Sequence, residues 1–449
     1  MNSAGRMTRN ADRLAAAGAL VLTLLTGCNG AAESKAPAAA ARPTNLLLIT
    51  LDTLRPDHIA ASMPELAAFA STGAYFPYVL ANGAWTYTTM SSLLAGRPMI
   101  DMGPAPWETG VRHVPDETYM LAEILSDRGY RTFYSNANDM AGESTNMLQG
   151  YDEAVFRRTM KAHASEQQAW LNAWESDGQE WPFFIHLHAM EPHAPWGAKL
   201  DPSCEASTRE AAALCTARTA YDFLVEDSNA ANQVVHGWNP GDAEVCGLAV
   251  KTAYACALVA LDQELAETLR RFAASPAAAT TLVVIATDHG ETLGPWYYGH
   301  NLGSLWDLTR TFSLFAGPGI EPSVTSTPVS QADLVPTILD SLGITDALGP
   351  TGRSLLVPGD SDLRTFWCNE GGLKSHGWLA PDMSNYVRLE EALDGSREYY
   401  AVHPIVAGEE NPAPEADIPA EALIALDAQS LALVDLCADG APRGPGTPP

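Results

Sequence analysis

Several residues whose types could bind a metal ion or carry a group in transfer stand directly after apolar runs. Asp52 closes NLLLITL, Glu191 and His193 follow FFIHLHAM, and Asp288 and His289 follow TTLVVIAT, with His300 in the next loop. Carboxylates and imidazoles are ligands for divalent cations. A hydroxyl beside such an ion is acidified and becomes a nucleophile, and Thr86, in WTYTTMSSLLAG, would supply it. A single Asp after a strand is ordinarily a loop cap. Several apolar runs ending in the same way point to one shared edge, where Asp52, Asp288 and His289 would supply oxygen and nitrogen ligands to the ion, with His193 and His300 nearby.

Positioning these residues needs a particular architecture. Short, unbroken apolar runs suit strands buried on both faces, as in a parallel sheet. Open α/β sheets place ligands at the carboxyl ends of their strands. Such runs are read at 45–51, 131–136, 182–190, 280–287 and 311–315, and helical spacing at 64–71, 86–96, 116–129, 164–174, 248–272 and 331–342. The alternation predicts an α/β fold: a doubly wound, mostly parallel sheet sandwiched by helices. Thr86 would serve as N-cap of its helix, which ends at Gly96. Residues 201–247 read as an irregular insertion. Beyond 358 the pattern changes to short strand-like runs, a Pro/Glu-rich linker at 409–419 and a last helix, which predicts a small α+β subdomain over 359–449.

A formal net charge of −28 over 449 residues argues against nucleic acid as a partner, because phosphate contacts need clustered Lys and Arg. Arg6, Arg9 and Arg13 precede a short apolar run ending in Leu25-Thr26-Gly27-Cys28, which resembles a bacterial lipobox. The resemblance implies a signal peptide over 1–27, a lipid anchor on Cys28 and a flexible Ala/Pro-rich tether over 28–44, giving an exported, membrane-anchored lipoprotein. Asn29 in place of Asp points to the outer membrane or cell surface of a Gram-negative cell. Export favours disulfides among the remaining cysteines, and sequence proximity suggests Cys204–Cys215, Cys246–Cys256 and Cys368–Cys437, although connectivity is not deducible from sequence.

In chain order, LLLITLDTLRPDHI, WTYTTMSSLLAG, FFIHLHAMEPHAPW, ATDHGETLG with the later GHN, and DLVPTILDSLG with GRSL resemble the sulfatase branch of the alkaline phosphatase superfamily. The resemblance implies a catalytic domain over 45–358. It implies one divalent ion (zinc, manganese, calcium or magnesium, with a second left open) on Asp52, Thr86, Asp288 and His289. Thr86 would be the nucleophile, and His193 and His300 would lie on the substrate side. Sulfatases place a Cys or Ser, converted to formylglycine, within Cys/Ser-x-Pro-x-Arg. Here the segment reads Thr86-Tyr87-Thr88-Thr89-Met90, so formylglycine chemistry is not expected. A Thr resembles instead the phosphoryl-transferring relatives. The expected activity is hydrolysis of an anionic phosphate or sulfate ester, phosphoester preferred. The alternatives are a non-catalytic binding lipoprotein and a phospho-group transferase acting on envelope glycans or lipids.

Other residues have more ordinary readings. His186 and His188 share one face of their strand, as core or as support behind the site. Glu191 is read as a supporting base or a solvated acid, Arg55 as a partner of Asp57, of a helix end or of an anion, and Lys374 and His376 as loop residues.

Overall fold

The computed structural model describes residues 42–102, 113–214, 240–293, 298–300, 303–368, 374–392, 394–402, 404 and 411–427. The expected signal segment, the anchor at Cys28 and nearly all of the tether lie outside them, as does Cys437. Among the described residues, no helix is long and apolar enough to cross a membrane.

The strands are β1 (Asn45–Leu51), β2 (Ala74–Leu80), β3 (Arg131–Asn136), β4 (Glu153–Phe156), β5 (Phe183–Ala189), β6 (Thr281–Thr287), β7 (Thr292–Leu293), β8 (Tyr298–Gly299), β9 (Arg310–Ala316), β10 (Ser323–Val324), β11 (Val329–Ser330), β12 (Arg364–Cys368), β13 (Lys374–Leu379), β14 (Tyr386–Glu391), β15 (Arg397–Val402) and β16 (Asn411–Ala413). The helices are α1 (Ile59–Ser62), α2 (Pro64–Ala70), α3 (Thr86–Ala95), α4 (Leu121–Ser126), α5 (Met160–Ser176), α6 (Glu205–Leu214), α7 (Pro240–Ala273), α8 (Trp306–Thr309) and α9 (Leu334–Ser341).

The central sheet runs β10-β2-β9-β6-β1-β5-β3-β4, with β11 also on β2. Its pairings are parallel except those of β9 with β2 and β6. Every residue of β1 is buried, which is why its sequence shows no polar alternation. Leu47, Ile49 and Leu51 enter the core shared with α1, α2, α5 and α7. Leu46 and Leu48 enter the core on the other face, with α3, α4 and α9. The doubly wound α/β architecture read from the sequence is therefore the one observed. A separate five-stranded antiparallel sheet, β12-β13-β14-β15-β16, follows in the C-terminal region. There 411–413, read as linker, pairs with Tyr399, Tyr400 and Ala401 as an edge strand.

Local expectations need correction at several points. Trp85, in extended conformation (φ −169°, ψ 158°), is the N-cap of α3, so Thr86 is its first helical residue and not its cap. The hydroxyls of Thr88 and Thr89 both donate to the Trp85 carbonyl, at 2.9 and 3.0 Å. The helix expected at 116–129 is confined to α4, because Met120 stays extended and its N–H is taken by the Glu123 carboxylate at 2.9 Å. Within 201–247, α6 and the first turns of α7 are helical. Cys204 pairs with Cys256, in place of the two pairings suggested by sequence proximity, because the α6 segment packs along α7. Cys246 is also disulfide-bonded. Lys374 and His376 are not loop residues. They lie in β13, with Lys374 beside Glu391 at 3.3 Å and His376 buried.

Candidate metal centre

Register brings the ligands together. Leu51 of β1 pairs with Ala189 of β5 and Thr287 of β6, so Asp52 and Asp288 leave neighbouring strands side by side. The chain then turns sharply at Thr53, a β-branched residue at φ 59°, a conformation that costs roughly 1–3 kcal/mol. The turn aims the Thr53 N–H at Asp288 Oδ1 (3.1 Å), which also accepts from His289 N (2.7 Å). Gln331 holds the Asp288 carbonyl at 2.7 Å.

Asp52, Asp288 and His289 are fully buried, and one ligand atom from each lies within 4.8 Å of the others. His289 Nε2 is 3.6 Å from both Asp52 Oδ1 and Asp288 Oδ2. Thr86 Oγ1 lies 3.4 Å from Asp52 Oδ2 and 3.4 Å from His289 Nε2, so all of the expected ligand set converges. Asp52 Oδ1 and Asp288 Oδ2 have no hydrogen-bond partner. An orphaned buried carboxylate oxygen is costly, and two facing one imidazole could hold a divalent cation. Without a cation the two acids separate in affinity for protons. Burial works to raise the Asp52 pKa, but hydrogen bonding to His188 and the nearby imidazoles outweigh it and hold that carboxyl well below its usual range. Burial and the charge of Asp52 push Asp288 well above its range. Burial and the neighbouring His300 lower His289 to about 3, leaving a neutral ring suited to ligation.

His193 and His300 stand together at this centre. Their rings are 4.8 Å apart, and His300 is 4.7 Å from His289. His193 Nδ1 contacts the Ala194 carbonyl, and burial lowers its pKa to about 4. His300 Nδ1 meets Glu291 Oε1 at 3.2 Å. Burial opposes charge on that ring, yet the Glu291 carboxylate raises its pKa overall. Each ring thus keeps Nε2 as the nitrogen available for an ester oxygen.

His186 and His188 form the support read as one of their options. Thr50 Oγ1 bridges His186 Nε2 (2.9 Å) and His188 Nδ1 (2.8 Å), and His188 Nε2 lies 3.4 Å from Asp52 Oδ2. Glu191 is neither a supporting base at the centre nor solvated. It is buried, and Oε1 accepts the N–H of Met160 at the start of α5 at 2.5 Å. Arg55 joins Asp57 (2.8 Å) and Asp307 (2.8 Å), so the pairing with Asp57 is the one observed.

Sequence reasoning passed over Asn138 and Glu291. Asn138 Nδ2 donates to Asp52 Oδ2 at 2.7 Å and to Thr86 Oγ1 at 3.1 Å. Its available signal was a polar side chain just after β3, at the same sheet edge. Glu291 could have been noticed as a carboxylate three residues after Asp288 in a segment already assigned to the centre.

Comparison with known proteins agrees with this fold. The sulfatase family model matches residues 44–344. A choline-sulfatase of Rhizobium meliloti (strain 1021) is 24% identical over 224 residues, 47% of this chain and 41% of that protein, so the match spans about two fifths of that relative's length. A protein of the alkaline phosphatase superfamily from Vibrio parahaemolyticus has a similar fold (TM-score 0.59, 14% identity, covering 88% of this chain and 87% of that one). So has a phosphonate monoester hydrolase from Silicibacter pomeroyi (TM-score 0.56, 17% identity, covering 89% and 96%). With the doubly wound sheet, the ordered motifs and a family match over most of its length, the chain belongs to the sulfatase family.

Proposed function

We propose that this chain is a metal-dependent ester hydrolase in which Thr86 attacks a phosphate ester in preference to a sulfate ester. The observation that carries the reading is the convergence of two orphaned carboxylate oxygens, a neutral imidazole and the Thr86 hydroxyl at one buried point. Asp52, Asp288, His289 and Thr86 would hold the ion. A divalent cation there supplies acidification of a hydroxyl and neutralisation of developing oxyanion charge.

The chain's own residues account for the rest. Thr86 Oγ1 gives up its proton to solvent and bonds to phosphorus as the bond to the leaving oxygen breaks. Nε2 of His300, beside the Glu291 carboxylate, gives that oxygen its proton, while neutral His193, whose Nδ1–H faces the Ala194 carbonyl, presents Nε2 as an acceptor. Water then attacks the phosphothreonine, restoring the Thr86 hydroxyl and releasing phosphate or its monoester. A Thr cannot become formylglycine, and this supports phosphoester over sulfoester chemistry. The basic N-terminal segment ending at Cys28 and the Cys204–Cys256 disulfide support placing the enzyme outside the cytoplasm on a lipid anchor.

The test is to purify the protein, measure its bound divalent metal, and assay phosphate monoesters and diesters beside sulfate esters, with Thr86→Ala as the control. Phosphoester turnover that disappears in Thr86→Ala is the expected result. Faster sulfate-ester turnover, or full activity in Thr86→Ala, would overturn the mechanism.

A further inference from the structure

Asn138 is 9% exposed and sits just beyond the carboxyl end of β3. Its orientation is fixed by partners that can bond in only one way. The Met140 N–H donates to Oδ1 at 2.9 Å, so the amino end must be the one facing the centre. The backbone is held too: Asn138 N donates to Asn136 Oδ1 at 2.9 Å, and Asn136 Nδ2 donates to the Asn138 carbonyl at 2.8 Å. The two N–H bonds of Nδ2 are thereby aimed at Asp52 Oδ2 and Thr86 Oγ1. They join a proposed metal ligand to the proposed nucleophile through one atom.

We infer that Asn138 is a catalytic residue, holding Asp52 in its ligating orientation and donating to the Thr86 oxygen as that oxygen becomes the nucleophile; the inference rests on the assignment of Thr86 above. A hydrogen bond to an ionised oxygen is roughly twice as strong as one to a neutral oxygen. The bond to Thr86 therefore tightens as the hydroxyl proton leaves, and an interaction that strengthens on the way to the transition state raises kcat more than it lowers KM. Asp52 needs the second N–H because an ionised carboxylate accepts and never donates.

Two substitutions in the full-length protein separate this role from that of a turn cap. Asn138→Asp keeps an oxygen for the Met140 N–H and the same shape, but removes the amide donors. Asn138→Ala removes both functions. With an aryl phosphate diester as probe, kcat should fall on the order of a hundredfold in both variants, the loss seen when one preorganised donor is deleted. KM should be nearly unchanged. If Asn138→Asp recovers the kcat lost in Asn138→Ala, the residue is only a cap and the inference is wrong. If both variants match wild type while Thr86→Ala is inactive, the inference fails and the Thr86 assignment stands. If Thr86→Ala is as active as wild type, the assignment itself fails and takes this inference with it. Manganese titration provides a readout without turnover. Asn138→Ala should bind the ion at least about tenfold more weakly, as for loss of a residue that orients a ligand, and unchanged affinity would overturn the Asp52 half of the proposal.

Discussion

Asp52 and Asp57 leave β1 in the same loop and meet opposite surroundings. Asp57 takes Arg55 on both oxygens, at 3.1 and 2.8 Å, and Arg310 on Oδ2 at 2.8 Å. Arg55 also reaches Asp307 at 2.8 Å and the Glu291 carbonyl at 3.1 Å. Asp52 and Asp288, deeper in the same edge, each keep a buried oxygen with no partner, and among the described residues no Lys or Arg pairs with either. Arginines are therefore available at this edge, yet they neutralise only the outer acids. A carboxylate satisfied by a guanidinium is part of the framework. One left bare beside a second carboxylate and a neutral imidazole could hold a cation that is not a side chain.

If that contrast is correct, the inner and outer acids must fail differently. Asp288→Asn should lower kcat/KM by at least about a thousandfold, roughly 4 kcal/mol of transition-state stabilisation, and should abolish metal binding. The metal-free variant should melt no lower than wild type, because an amide replaces a desolvated acid beside Asp52. Loss of stability with metal content intact would show that Asp288 is structural. Arg55→Met should do the reverse. It leaves Asp57 and Asp307 to Arg310 and should cost about 1–3 kcal/mol in urea unfolding, the range for removing one partner from a hydrogen-bonded polar group. Turnover per folded molecule should stay close to wild type.

Metal removal sharpens the same comparison at a somewhat smaller scale. Ion at about a hundredfold over its Kd should stabilise wild type by about 2.7 kcal/mol relative to chelated protein. Arg55→Met should retain this increment and Asp288→Asn should lose it. Differential scanning fluorimetry with and without chelator checks both.

How far this could be read in advance depended on how directly each residue follows its strand. Asp52 and Asp288 come immediately after β1 and β6, and a run such as TLVVIAT is apolar enough to define where the strand stops. Asn138 follows a strand whose sequence, RTFYSN, is already polar at its end, so nothing separates strand from site. The role of Thr86 depended on one residue of helix phase. As an N-cap its hydroxyl would have turned toward the backbone N–H groups of the first turn, whereas with Trp85 as cap it lies beside Asp52. The disulfide was missed because sequence proximity is a poor guide once two helices pack side by side: Cys204 and Cys256 are 52 residues apart. Arg55 with Asp57 was legible as a short-range pair. Asp307 and Arg310 were not, because β9 runs antiparallel to β6 and only that reversal returns them to the same edge.

The smallest effect concerns acid, and it separates the outer cluster into its parts. His58 packs edge-on to Tyr254 at 5.0 Å. Burial lowers its pKa from 6.5 to about 4, against the opposing pull of Asp57. A histidine whose folded pKa lies below its unfolded value contributes stability that is fully present above pH 6.5 and declines as pH falls towards 4, because the unfolded chain takes up the proton first. Asp57 has the same sign in a lower window. Burial works to raise its pKa, but its hydrogen bonds and the charges of Arg55 and Arg310 hold it well below the ordinary carboxylate range. Its contribution is therefore intact above the ordinary carboxylate range and is lost only as pH falls beneath it. Urea midpoints measured against pH should consequently show a shallower slope between pH 6.5 and 4 in His58→Gln, and a shallower slope below that range in Asp57→Asn. Both side chains are partly solvated, so each change should be smaller than the loss in Arg55→Met. A His58→Gln variant with the wild-type slope would mean that the imidazole is hydrated in the folded protein, and that the outer cluster consists of the arginines and their acids alone.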